Sequence, residues 1–208
     1  GAGGTNFLDN IAIGHEALDS GAIPNSTMQG TIAIGSSALG ALTSGAGNVA
    51  VGYQSSDAMT TATLNTAVGY QSLSASVDGD RNTALGYQSM LIYEGGSHVG
   101  ENTCIGYQAG AELTTGVQNI IIGSETNASA VGGVNQTVIG YGANGQADNS
   151  VVLGNAATTA VYMAQDSGAK VRCGAIVANQ SADTYAAEIY GTAGAASVVF
   201  INKASSGT

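Results

Sequence analysis

The side chains best placed to do chemistry in this chain are tyrosines and glutamines that recur as the dipeptide YQ. NTAVGYQSL, NTALGYQSM and NTCIGYQAG start at Asn65, Asn82 and Asn102, and in each copy the pair follows a glycine. If the copies stack in space, the pattern predicts either a packing ladder of aromatic rings and amides or a carbohydrate-binding face, because tyrosine rings stack on sugars. The candidate glycan-facing residues are Tyr53, Tyr70, Tyr87, Tyr107, Gln54, Gln71, Gln88 and Gln108, and Tyr141 continues the tyrosine column.

Other reactive side chains are scattered. Asp78, Asp80 and Asn82 offer oxygen ligands of the kind that calcium prefers, but the nonapeptide calcium-roll pattern is absent and a solvated turn is favoured. His15 and His98 are isolated, so spacing supports no nucleophile–base arrangement. A pair of carboxylates from distant coils stays open as a glycan-cleaving alternative. The sequence therefore predicts no catalytic residue, no metal and no cofactor, and a protein that is not an enzyme.

The two cysteines, Cys104 and Cys173, have no nearby cysteine or histidine that would form a metal pattern. Cys104 stands where other copies of the repeat carry alanine, which predicts a small buried apolar side chain without a structural disulfide.

The charge balance excludes several partners. The 208 residues carry 4 Lys+Arg against 14 Asp+Glu, a formal net charge of -10. Nucleic acids and anionic membrane surfaces both require a basic footprint, and no apolar run reaches the ~20 residues of a membrane span. We therefore expect no nucleic-acid partner and no membrane insertion. The chain begins with glycine and shows no signal-peptide pattern, which predicts a fragment or a processed product.

The YQ pairs belong to a repeat of nine copies, each anchored on one glycine. Position -1 before this glycine is always Ile, Val or Leu, position -3 is Ile, Val or Thr, and position -2 is Ala in five copies. Position -4 is Asn in six copies, where its side chain is expected to satisfy turn backbone groups. The anchors are Gly14, Gly35, Gly52, Gly69, Gly86, Gly106, Gly123, Gly140 and Gly154, and the six asparagines are Asn10, Asn48, Asn65, Asn82, Asn102 and Asn119.

These copies predict an all-β solenoid. Short β-branched runs that end in glycine and are separated by polar turns indicate strands, and one strand per 17 or so residues indicates a narrow parallel β-roll. Nine coils at about 4.8 Å each predict a rod of about 43 Å. We expect the side chains at -3 and -1 inside, as with Thr66 and Val68, and Ala67 at -2 facing a neighbour. Because that outer row is apolar, three chains around a common axis are expected to bury it.

The threonines at -3 admit one more interpretation, since flat threonine arrays can bind ice. The column holds Thr66, Thr83, Thr103 and Thr137, but Ile120 interrupts it and Ile11, Ile32 and Val49 replace it towards the N-terminus. An inward orientation, as expected for -3, disfavours ice binding further.

NIAIG, TIAIG, NVAVG and NTAVG resemble the repeats of YadA-like heads in trimeric autotransporter adhesins, over about residues 5–156. This resemblance implies a left-handed parallel β-roll that assembles as a homotrimer. The period here is longer, and the GYQS variant with the downstream VVFINKASSGT looks more like phage tail fibres. Residues 157–208 alternate apolar and polar stretches and predict a second, all-β trimerisation or fibre segment.

The leading hypothesis is thus a structural and adhesive segment of a virion tail fibre. Its expected partners are two copies of itself, other fibre or baseplate proteins, and a host-surface glycan or protein receptor. The alternatives are the head of a bacterial adhesin at the cell surface and a glycan-cleaving tailspike-like enzyme. The loops DSGAIPNSTMQG and SMLIYEGGSHVGE are the expected carriers of recognition, since they vary between copies.

Overall fold

The computed structural model describes residues 9–19, 28–95 and 99–161. They form an all-β parallel solenoid with no helix among these residues, and each coil contributes one three-residue strand. The predicted segment 157–208 lies, beyond Val161, outside the described residues. The strands are β1 (Ile11–Ile13), β2 (Ile32–Ile34), β3 (Val49–Val51), β4 (Thr66–Val68), β5 (Thr83–Leu85), β6 (Thr103–Ile105), β7 (Ile120–Ile122), β8 (Thr137–Ile139) and β9 (Val151–Leu153).

The nine strands pair in sequence order into one parallel sheet. Every pairing is in register with the repeat, so that Ala67 lies beside Ala50 and Ala84. We number the coils 1 to 9 after their strands and count positions from the anchoring glycine. Equivalent positions therefore stack into columns along the solenoid.

The glycine column is required by the close approach of consecutive coils. Gly69 has a φ of 141°, and a Cβ there would meet the carbonyl carbon and oxygen of Gly86. Its N–H donates to the carbonyl of Val51 in the preceding coil at 2.8 Å. Most anchors of the column repeat this arrangement, which explains why the position admits only glycine.

The expected orientation of the strands was wrong. Ala67 at -2 is fully buried, whereas Thr66 is exposed and Val68 is half-buried. The interior between the strand and the opposite wall is narrow, so it accepts Ala, Cys104 or a single larger side chain such as Ile121 at -2. The threonine column likewise points outward, so the inward orientation assumed against ice binding does not hold.

Larger buried side chains come from the turn after the glycine, at positions +4 and +7. They are Leu39, Leu73 and Met90 at +4, and Leu42, Met59, Tyr93 and Leu113 at +7. The +4 residues adopt left-handed φ values near 50°, which turns their side chains into the roll. Tyr93 belongs to the loop SMLIYEGGSHVGE, so part of this expected recognition loop lies in the core. Gly79 leaves space for the tyrosine ring, because a Cβ at Gly79 would meet that ring at 2.7 Å.

Candidate functional site

The YQ pairs lie side by side because the backbone after the glycine pairs from coil to coil. The N–H at +2 donates to the carbonyl at +1 of the preceding coil, as from Gln71 to Tyr53 and from Gln88 to Tyr70, both at 2.9 Å. The glutamines at +2 hold φ values of 50–52°. The eight residues predicted as a glycan-facing ladder are thus brought together in two parallel columns.

Four tyrosines form one stack, which we call the Tyr ladder (Tyr53, Tyr70, Tyr87 and Tyr107). Neighbouring ring centroids are 5.2, 5.2 and 5.3 Å apart, with interplanar angles of 18°, 9° and 10°. The four tyrosine residues are 43–47% exposed. Because the faces of Tyr70 and Tyr87 cover each other and their outer neighbours, a sugar ring cannot lie on them. The edges and hydroxyls of the inner rings are what the Tyr ladder offers to a ligand.

Four amides form the Gln ladder (Gln54, Gln71, Gln88 and Gln108). The Nε2 atoms of Gln71, Gln88 and Gln108 each donate to the Oε1 of the preceding coil's glutamine, at 2.9, 3.0 and 3.0 Å. The ladder therefore has a direction, and its last acceptor is Gln108 Oε1. The next residue in this column is Glu125, whose ionised carboxylate can only accept hydrogen bonds.

The Tyr ladder is interrupted at coil 7, and the Gln ladder ends before it. Ser124 and Glu125 occupy +1 and +2, and a tyrosine returns as Tyr141 in coil 8. The backbone pairing continues through the interruption, from Glu125 N to Tyr107 O at 2.8 Å and from Gly142 N to Ser124 O at 2.9 Å. Tyr141 thus belongs to the predicted column, but it is separated by one coil and is 68% exposed.

A groove of about 430 Å³ lies next to the interruption. It is lined by Gln108, Ala111, Glu112, Glu125, Asn127 and Asn144. A second groove, of about 630 Å³, opens at coil 9 and is lined by Gly142, Asn144, Gln146, Val152, Gly154, Asn155, Ala156 and Ala157. The first groove concentrates two carboxylates, whereas the lining of the second holds no titratable side chain.

Asp80 and Asn82, two of the residues considered as calcium ligands, accept hydrogen bonds from backbone N–H groups of neighbouring coils. Asp80 accepts a hydrogen bond from the Thr63 N–H at 2.6 Å. In residues 9–19, 28–95 and 99–161, no cluster of three or more His, Cys, Asp or Glu side chains suits a metal ion. His15 is paired with its neighbour Glu16 at 3.6 Å, and His98 lies outside the described residues. Within the same ranges, no helix is long and apolar enough to cross a membrane.

Titratable groups with altered pKa values lie away from the ladders. Burial raises the pKa of Tyr93. The Val134 N–H and the Gln136 amide donate to Asp148 at 2.8 and 3.0 Å and lower the pKa of its exposed carboxyl. Neither group lines a groove, so we assign both to the structure of the coils.

Cys104 is fully buried as a free thiol, as its place in the alanine column predicted, and burial raises its pKa above the usual range. Because the thiolate is the reactive form, we expect iodoacetamide at pH 8 to label Cys104 at least 100-fold more slowly in the native protein than in urea. Peptide mapping by mass spectrometry separates Cys104 from Cys173, and labelling at equal rates would contradict the burial. A synthetic peptide around Cys104 gives the unprotected rate.

Searches of this chain against family models, curated proteins and solved structures find no match.

Proposed function

We propose that this chain is a segment of a homotrimeric fibre, built on a left-handed YadA-like β-roll, that extends a virion appendage such as a phage tail fibre and contributes to attachment at the host surface. The observation that carries the proposal is an apolar face along the outside of the sheet. This apolar face consists of the Ile, Val and Leu side chains at -1 of the nine strands together with the side chains at -3, four of which are threonine.

The apolar face is unlike an ordinary protein surface. None of the nine described strands contains a charged residue, and the -1 side chain of each is Ile, Val or Leu. Large side chains such as Ile13, Leu85 and Val151 are 59%, 43% and 67% exposed in the single chain. A stripe of uncharged and mostly apolar side chains of this length favours burial against a partner. Threefold assembly around an axis parallel to the solenoid would turn three stripes into one closed core.

The attachment role is supported by the Tyr and Gln ladders. They present tyrosine edges and hydroxyls together with half-buried amides, and these groups suit the hydroxyls of a glycan. A rod of stacked coils holds them at a fixed spacing. The same features fit the runner-up, the head of a bacterial trimeric adhesin, and neighbouring virion genes or an outer-membrane anchor would separate the two.

A glycan-cleaving enzyme has the least support. Glu112 and Glu125 line one groove, but both are exposed. The general acid of a glycosidase needs an apolar environment that raises the pKa of its carboxyl. A reducing-end assay with host polysaccharide tests this alternative, and released ends would overturn the assignment as a non-enzyme.

Light scattering tests the assembly. We expect a mass near 61 kDa, three times the 20.3 kDa of one chain. Leu85→Glu should reduce it to the monomer, because a carboxylate on the apolar face would have to be buried unpaired in the trimer core. Val77→Glu is the matched control, since Val77 is 44% exposed but lies away from the strands, and it should leave the mass unchanged. A wild-type mass near 20 kDa would refute the trimer.

A further inference from the structure

The interruption of the Tyr ladder is a single position wide. Ser124 lies between Tyr107 and Tyr141 in an unbroken column of backbone hydrogen bonds, so all three residues share one register. We call the space above Ser124 and between the two rings the Ser124 cleft. The register of the column therefore continues through coil 7, where a serine occupies the position of the tyrosine.

The spacing of the coils gives the Ser124 cleft a height of about one ring. Rings in adjacent coils are 5.2–5.3 Å apart, and two coil steps of about 4.8 Å separate Tyr107 from Tyr141 by about 10 Å. A ring placed midway would lie about 5 Å from each tyrosine, within the range of favourable ring packing. The outer face of Tyr107 and the inner face of Tyr141 have no tyrosine neighbour at Ser124, in contrast to the covered faces of Tyr70 and Tyr87.

Two carboxylates and the Gln108 amide oxygen offer hydrogen-bond acceptors beside the cleft, in a groove that the amides of Asn127 and Asn144 also line. Gln108 Oε1 ends the directional Gln ladder, and Glu125 occupies the position where a glutamine would donate to it. Glu112 lines the same groove as both. Two acceptors in succession call for a donor between them, and two carboxylates favour a neutral or cationic ligand over an acidic one.

We propose that the Ser124 cleft binds one pyranose ring rich in hydrogen-bond donors, an amino sugar in preference to an acidic sugar, between Tyr107 and Tyr141. The ring packs its two C–H faces on the tyrosines, and its amine or hydroxyl groups donate to Glu125 and Gln108 Oε1. This site deepens the proposed attachment role by naming a ligand class, but it is built from one chain and does not require the trimer.

The test uses the full chain and a β-1,4-linked glucosamine tetramer, with a galacturonic acid tetramer as the acidic comparison. Binding is followed by calorimetry and by NMR shifts of the tyrosine rings. Ser124→Tyr should weaken binding of the glucosamine tetramer at least tenfold, because a tyrosine completes the ladder and fills the cleft. Ser124→Ala removes the same hydroxyl but keeps the cleft open, and it should bind within twofold of wild type.

A second pair of variants locates the ligand and its polar contacts. Glu125→Gln should reduce the preference for glucosamine over galacturonic acid at least fivefold. Ser36→Tyr fills the analogous position between His15 and Tyr53 at the other end of the Tyr ladder and should leave binding within twofold. If Ser36→Tyr lost binding and Ser124→Tyr kept it, the ligand would bind at the other end of the Tyr ladder and the proposal would be overturned.

Three further outcomes would also overturn it: no binding by the wild-type chain, equal binding by Ser124→Tyr, or tighter binding of tyramine than of the sugar. Light scattering of every variant separates this site from the fibre proposal. A chain that assembles as a trimer but does not bind the tetramer rejects the cleft alone, whereas a monomeric chain that binds it rejects the trimer alone.

Discussion

Replacing Gly69 by alanine is expected to destabilise the solenoid by about 3 kcal/mol or more. The added Cβ would collide with the carbonyl of Gly86, and φ at Gly69 is 141°, a conformation that alanine strongly disfavours. Relief requires coils 4 and 5 to separate, which strains the 2.8 Å hydrogen bond from Gly86 N to Val68 O. Urea or thermal unfolding followed by circular dichroism measures the loss, with a fall in Tm of about 6–12 °C.

Gly142→Ala is the matched control. Gly142 also has a positive φ, of 56°, but a Cβ there would meet nothing within 4 Å. It occupies position +2, where Gln88 adopts 52°. We therefore expect a cost of about 1 kcal/mol or less. Equal losses in the two variants would show that backbone conformation, and not the approach of consecutive coils, makes glycine necessary in the anchoring column.

The strands and their register could be predicted from the repeat, because residues that recur at a fixed offset from a glycine must stack when the coils stack. The orientation of the strands could not. Alternation distinguishes two faces of a strand without saying which is buried, and the bulky side chains at -3 and -1 favoured the wrong face. Which face is buried depends on the side chains of Leu73 and Met90. Their left-handed backbone turns these side chains into the interior, where they leave room only for a small side chain at -2.

The candidate site was predictable in composition and less so in chemistry. Spacing placed Tyr70 beside Tyr87, but only the ring geometry reveals that their faces cover each other. The direction of the Gln ladder depends on rotamers, so sequence could not indicate that Gln108 ends it with a free acceptor opposite Glu125. The aligned copies do show that Ser124 replaces the tyrosine at +1, and this was the available sequence signal for the cleft.

The asparagines at -4 show why the coils hold together, and Asn65→Ala is expected to cost about 3 kcal/mol. Asn65 is fully buried; its Oδ1 accepts from the Asn82 N–H at 2.8 Å, and its Nδ2 donates to the Gly79 carbonyl at 2.8 Å. Alanine leaves both backbone groups without partners inside the solenoid, and each buried unsatisfied group costs about 1–3 kcal/mol. Urea unfolding at a fixed protein concentration measures the change, since assembly would add a concentration-dependent term.

Gln71→Ala is the matched control for Asn65→Ala, because it also removes an amide that links coils but at a position that is only partly buried. Gln71 also links two coils, donating to Gln54 and accepting from Gln88, but it is only partly buried. The freed amides can turn to water, so we expect a loss below about 1 kcal/mol. If Asn65→Ala loses three times as much unfolding free energy as Gln71→Ala, the asparagine column is the one that stabilises the contact between coils. That result would leave the Gln ladder free to change at Glu125 without loss of the fold, whereas equal losses would make both columns structural and contradict this division of roles.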